Sequence, residues 1–207
     1  FTSSGGAVLA QSVTSISVAG STFTANTAVG GAGGAVFWMG QPLQADVEEH
    51  EMLCTSTGDV LYGPCVASNA VNIVLTNSSA LAAQYAGMQI EPHPSIRVVD
   101  WYDQTVTVGG ATMTANLYVA DHLSAILQGA TAVAQDPNMM TFDFYDAWLL
   151  AGIASVDETT VVWRSEIHLN FLVFDPYTHA QLPTPTITIP PPPGDICPTG
   201  YTLQVSE

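Results

Sequence analysis

Between residues 160 and 174, apolar and polar side chains alternate. Val161, Trp163, Ile167, Leu169, Phe171 and Val173 share one face, and Arg164, Glu166, His168 and Asn170 share the other. A period of two suits a strand with one buried face; a helix would scatter these residues around its circumference. The run is long enough to sit centrally in a sheet. Residues 66–76, 95–101, 104–108 and 111–119 read the same way, with Gly109 and Gly110 as a hairpin turn between the last two. Two stretches are predicted as short connecting helices. Asn77 or Ser78 caps residues 79–86, and Asp121 caps residues 122–128, where Leu123, Ile126 and Leu127 fall on one side. Gly87 and Gly129 are their stops. Residues 142–150 fit strand or helix equally. The chain is therefore expected to be all-β, with helices only as connectors.

The ends differ from the middle. Residues 1–36 carry no charged side chain and are rich in Gly, Ala, Ser, Thr and Val, whereas 183–193 read PTPTITIPPPP, a composition that favours extended backbone. The expected layout is an N-terminal arm at 1–36, a body at 37–182 and an extended C-terminal segment at 183–207. The chain starts at Phe1, so either a leader has been removed or the chain lies inside a longer one.

Charge narrows the functions open to such a fold. The 207 residues include no lysine and only two arginines, Arg97 and Arg164, against 18 acidic residues, for a formal net charge of −16 with histidine neutral. Phosphate recognition needs Lys and Arg, so nucleic acid is excluded as a partner, and an electrostatic anchor on anionic lipid fails likewise. No apolar run is long enough to insert as a membrane helix. Without lysine there is no Schiff-base chemistry. Only 10% of the chain is charged. Such a surface suits a protein packed against copies of itself, or coated with glycan, outside the cell. Asn77-Ser78-Ser79 is a sequon for that glycan.

Cys54 and Cys65 bracket the turn-rich loop TSTGDVLYGP and are expected to form an intrachain disulfide, stabilising by roughly 3 kcal/mol in the entropic account. Cys197 is left to be free, to pair between subunits, or to belong to a further C-terminal module. Candidate chemistry is sparse. Asp46, Glu48 and His50 would share a strand face as metal ligands do, but a solvated acidic face explains them as well. The pairs Asp100/Asp103 and Asp143/Asp146 lack a calcium-loop pattern and read as turn residues. Ser124 beside Asp121 and His122 has no nucleophile-elbow context. Glu166 and His168 are expected to pair with neighbours. No enzyme activity, catalytic residue, metal or cofactor is expected.

The chain bears three resemblances to known families. GGAVL (5–9), STFTAN (21–26) and GGAVF (33–37) resemble the repeats of polymorphic outer-membrane adhesins, which implies parallel β-helix coils over the first fifth of the chain. FLVFDPYTHAQLPTPTITI (171–189) resembles the strand–turn–strand of immunoglobulin-like or prealbumin-like surface modules through Asp175, Pro176, Thr178, Leu182 and Pro183, with His179 where glycine is usual. That implies an immunoglobulin-like β-sandwich. The layout is similar to pilus-like filament subunits assembled by donor-strand complementation, in which an arm completes a neighbour's sheet. Residues 7–18 are the arm that this likeness implies, with Val8, Ala10, Ile16 and Val18 of one parity and Val13 opposite. The leading expectation is an extracellular homopolymeric filament subunit whose partners are its own copies. The alternative is a monomeric cell-surface adhesion or glycan-binding module, or a short β-helix adhesin fragment. Exposed Trp38, Trp101 or Trp148 would favour the alternative.

Overall fold

A computed structural model describes residues 4–40, 45–47, 53–56, 60–77, 88–108, 112–120, 126–134, 139–151, 156–157, 160–161 and 166–190. Every regular element among them is a strand. The first seven strands form a parallel stack. β1 (Val8–Gln11), β4 (Val36–Met39) and β7 (Val66–Ser68) lie side by side, with Val8, Val36 and Val66 in register. On the other faces β2 (Ile16–Val18) pairs with β5 (Ala45–Val47), and β3 (Thr22–Asn26) with β6 (Leu53–Ser56), both parallel. The chain thus winds through two coils and begins a third, passing straight through the boundary expected between residues 36 and 37.

Glycine sets the coil corner. Gly5, Gly33 and Gly63 have φ of +74°, +70° and +65°, and a Cβ on each would lie 2.2, 2.2 and 2.4 Å from the carbonyl oxygen of Val8, Val36 and Val66. No L side chain fits there. The corner's hydrogen bonds repeat as well: the N–H groups of Ala7 and Val8 both donate to Ala35 O, and those of Ala35 and Val36 both donate to Cys65 O. The third corner reads Gly63-Pro64-Cys65-Val66. Gly6 N–H donates to Gly33 O and Gly34 N–H to Gly63 O, but Pro64 has no N–H with which to reach a fourth coil.

Alternation splits the coil side chains. Val36 and Val66 point into the lumen, where Ala35 and Cys65 join them and Val8, Ile16, Val18, Phe23 and Cys54 pack against them. Phe37 and Ala67 point outward and are buried by the body. The body is antiparallel. β8 (Asn72–Leu75), β10 (Ser95–Val99) and β14 (Thr141–Asp143) make one sheet in the order β14-β10-β8. β11 (Thr114–Val119), β13 (Thr131–Val133), β18 (Ile167–Leu172) and β19 (Ile187–Ile189) make another, ordered β13-β11-β18-β19. One core holds Ile73, Ile96, Val98 and Phe142 of the first together with Leu117, Leu169, Phe171 and Ile187 of the second. A third sheet has β15 (Trp148–Ala151) between β12 (Ile126–Gln128) and β9 (Met88–Gln89), and β16 (Val156–Asp157) with β17 (Thr160–Val161) forms a hairpin. The all-β expectation holds.

The finer expectations fare unevenly. Ile167, Leu169, Phe171 and Val173 are buried as their alternation requires. The helix expected over 122–128 is corrected where it is described: Ile126–Gln128 are the strand β12, because pairing with β15 overrides a short helix's weak propensity, and 122–125 lie outside the described residues. The helix expected at 79–86 and the turn at Gly109-Gly110 lie outside the described residues. Residues 142–150 resolve into β14, a turn and β15. The Pro-Thr stretch is not wholly without partners, since Ile187–Ile189 pair with β18.

His179 tests one detail of this fold. It holds φ of +58° in the turn between β18 and β19, the conformation in which a glycine is at ease. His179→Gly is therefore expected to leave stability unchanged or raise it by about 1 kcal/mol, the relief of a left-handed residue set against a floppier unfolded chain. Urea titration of the two proteins measures the difference.

Candidate functional site

The coil stack has two unlike ends, and among the described residues the buried polar side chains Ser68, Asn69, Asp100 and Asp175 gather at one of them. In β7, Asn69 N–H donates to Trp38 O, so alternation turns the backbone of Val66 and Ser68 away from β4. Two side chains of the turn after β10 meet those groups. Asp100 Oδ2 accepts the Ser68 N–H at 3.0 Å, and Gln104 Nε2 donates to Val66 O at 2.9 Å. Asp100 Oδ1 also accepts the N–H groups of Tyr102 and Gln104, both at 2.9 Å, which closes the turn. Tyr62 donates its hydroxyl to Ser68 O at 2.6 Å, and Trp38 Nε1 donates at 3.0 Å to the hydroxyl of Tyr102, which packs against the lumen cluster. At the last coil edge Val66 O, Ser68 N–H and Ser68 O are thus met by side chains instead of by another strand.

A second buried carboxylate fixes the body to the coils. Asp175, which is fully buried, accepts from Asn69 Nδ2 at 3.0 Å and from the Ala70 N–H at 3.3 Å, just where the chain leaves the stack. Its oxygens also accept the N–H groups of Tyr177 and Thr178 and the Thr178 hydroxyl. Asn69 Oδ1 in turn accepts the Gly40 N–H, and Phe37 packs on Tyr177 with ring centroids 5.2 Å apart. Asp175, singled out in the sequence only as part of a surface-module turn, is the joint between two halves of the molecule.

Burial pushes the Asp100 carboxyl above its ordinary range, against the pull of its bonds to Gln104, Ser68 and Tyr102. A carboxyl that holds its proton more tightly when folded adds stability below the ordinary carboxylate range. That increment is lost as pH rises through the folded pKa. In Asp100→Asn an amide N–H would face the backbone donors, costing roughly 1–3 kcal/mol. Urea melts across a pH series should show the gap between wild type and variant widest in acid, narrowing as pH rises through that window. Burial likewise raises Tyr62, helped by Tyr177, Asp100 and Asp175, and it raises Tyr177.

The residues picked from sequence are dispersed. Cys54 and Cys65 both belong to the lumen cluster with no bond between them in the structure, and Cys54 Sγ is turned to the Pro64 carbonyl at 3.9 Å. Cys197 lies outside the described residues. Asn77 uses its amide within the fold, donating to His93 O and accepting the Ser95 N–H at 3.3 Å. Val8, Ala10, Ile16 and Val18 are half-buried coil residues and Val13 is exposed. Ser12, at φ of +55°, breaks the single parity expected across 7–18. Asp103 pairs with Arg97 at 2.7 Å and donates its backbone N–H to Asp100 O at 3.2 Å, the turn role read for this pair, while Glu166 lies 3.7 Å from His168. The side chains of Asp46, Glu48 and His50 lie outside the described set. Among the described residues no cluster of three or more His, Cys, Asp and Glu converges as a metal site would, and no helix is long and apolar enough to cross a membrane. Trp38 is buried, whereas Trp101 and Trp148 are exposed.

No family model, curated protein or solved structure matches this chain.

Proposed function

We propose that the chain is an extracellular surface module of the adhesive kind, a short β-helix locked to an antiparallel β body, acting through its surface without catalysis. The observation that carries this reading is the corner repeated at Gly5, Gly33 and Gly63, the framework implied by the likeness of GGAVL, STFTAN and GGAVF to adhesin repeats. The buried carboxylates at the joint support it further. They are consumed by backbone donors, as expected of architecture and not of a reaction centre. Exposed Trp101 and Trp148 supply flat apolar surface of the kind that stacks on sugar rings.

The donated-strand filament is the second reading. It draws on the uncharged first 36 residues and on the sparse charge overall. In it, β1 and β2 would give up their pairing with β4 and β5 before entering a neighbour. The adhesive reading requires no such exchange.

Immunogold electron microscopy of the native source separates the two. Label dispersed over the outer surface, with no fibres, is the result expected of the surface module. Label along fibres with a regular axial repeat would replace it with the filament, and intracellular label would overturn both.

A further inference from the structure

Among the described residues no strand pairs with the coil end opposite the capped one. Val8 and Ser12 donate to Ala35 O and Met39 O, so β1 turns the backbone of Val8, Ala10 and Ser12 toward β4 and that of Leu9 and Gln11 outward. Among the described residues β1 is an edge strand with nothing on its outer side. The lumen is open there too: Val36 and Val66 are sealed, while Val8 is only half-buried. Leu9, on the outer face, is 53% exposed although Phe37 beside it is covered by the body. Natural sheet edges are blunted by charge, proline or cover. Residues 1–36 contain neither a charge nor a proline.

We propose that this open end is a self-association surface at which two copies meet across a twofold axis, β1 against β1 in antiparallel pairing. Two features of the molecule select a second copy as the occupant. The chain carries a net charge of −16 with every charged residue beyond position 36, so the uncharged coil end is where two copies approach with the least like-charge repulsion. The far end of the stack is also closed, because Gln104 and Asp100 occupy the outward groups of Val66 and Ser68. Head-to-tail stacking of coil one on coil three is therefore blocked, and open-ended growth with it. An interface that pairs like with like closes after two copies. Pairing centred on Ala10 sets Leu9 opposite Gln11 of the partner subunit, so that both outward N–H groups and both outward carbonyls find partners.

Sedimentation equilibrium of the full chain over a concentration series tests this, with Leu9→Glu and Gln11→Pro alongside. Leu9→Glu sets a carboxylate on the pairing edge. Gln11→Pro removes an outward N–H and leaves the bonds of Val8, Ala10 and Ser12 to β4 in place. The expected result is a monomer–dimer equilibrium with no larger species. It should tighten as salt is raised, since screening relieves repulsion between two acidic copies, and each variant should weaken it about tenfold or more. A circular dichroism melt close to wild type shows that a variant is folded, and if Gln11→Pro fails that check, Leu9→Glu decides alone. A chain that stays monomeric throughout, a dimer indifferent to the folded variants, or an indefinite polymer would each overturn the proposal.

Discussion

Asp175→Ala is expected to destabilise the protein by about 3–5 kcal/mol, the largest loss of any single polar substitution in the molecule. The carboxylate, itself fully buried, receives the buried Asn69 amide and Ala70 N–H on the coil side and the N–H groups of Tyr177 and Thr178 with the Thr178 hydroxyl on the surface side. Alanine leaves the Asn69 amide and the Ala70 N–H buried and unmatched, and a net stability at the low end of the usual range would be largely consumed. Asn69 and Ala70 are the exit from the coils, and Tyr177 packs on Phe37 of β4. The loss should therefore fall on the coils and body together, as a shift of the whole urea transition. If Asp175→Ala unfolded with an unchanged midpoint, the joint would lie elsewhere.

The coil corner supplies the second large effect. Gly33→Ala must place a Cβ 2.2 Å from Val36 O, and within 3.0 Å of the Phe37 Cβ, at a φ of +70°. Backbone atoms on both sides cannot yield without breaking the Ala35 and Val36 bonds to Cys65, so a cost of about 3 kcal/mol or more is expected. Gly20→Ala is the matched control. Its φ is +58°, but a Cβ there meets nothing within 4 Å, so only the conformational penalty of about 1 kcal/mol remains. Thermal melts of the pair separate packing at the corner from backbone preference, and equal effects would remove the corner from the account.

How much of this was legible in the sequence depended on how far apart the interacting residues lie. The alternation around Ile167, Leu169 and Phe171 is a local signal and gave β18 its buried face directly. GGAV at 5–8 and 33–36 marked two coil corners, but the third was hidden. Pro64 and Cys65 replace the Gly and Ala of the repeat, and Cys65 with Cys54 read instead as the clasp of a disulfide loop. The coil strands run only three to five residues, and corners such as Ser12 reset their parity, so residues 7–18 looked like one mediocre strand and hence like a donated arm. Leu123, Ile126 and Leu127 have helical spacing, yet a neighbouring strand decided the state of the last two. The joint was out of reach altogether. Asp100 meets Ser68 across 32 positions and Asp175 meets Asn69 across 106, and nothing in the local composition marks either carboxylate as buried.

The central claim is that the uncharged N-terminal segment is the first coil of a parallel stack and not a free arm. Amide hydrogen exchange resolved by residue, in protein dilute enough to be monomeric, tests it most directly. The N–H groups of Ala7, Val8 and Ser12 donate to coil two, and those of Ala35 and Val36 to coil three, so both sets should be protected, the second more strongly. The N–H groups of Leu9 and Gln11 face outward and should exchange far faster than their neighbours, so that protection alternates along β1. Uniformly fast exchange from Ala7 to Val18, with no alternation, would contradict the coil and return this segment to the role of an arm.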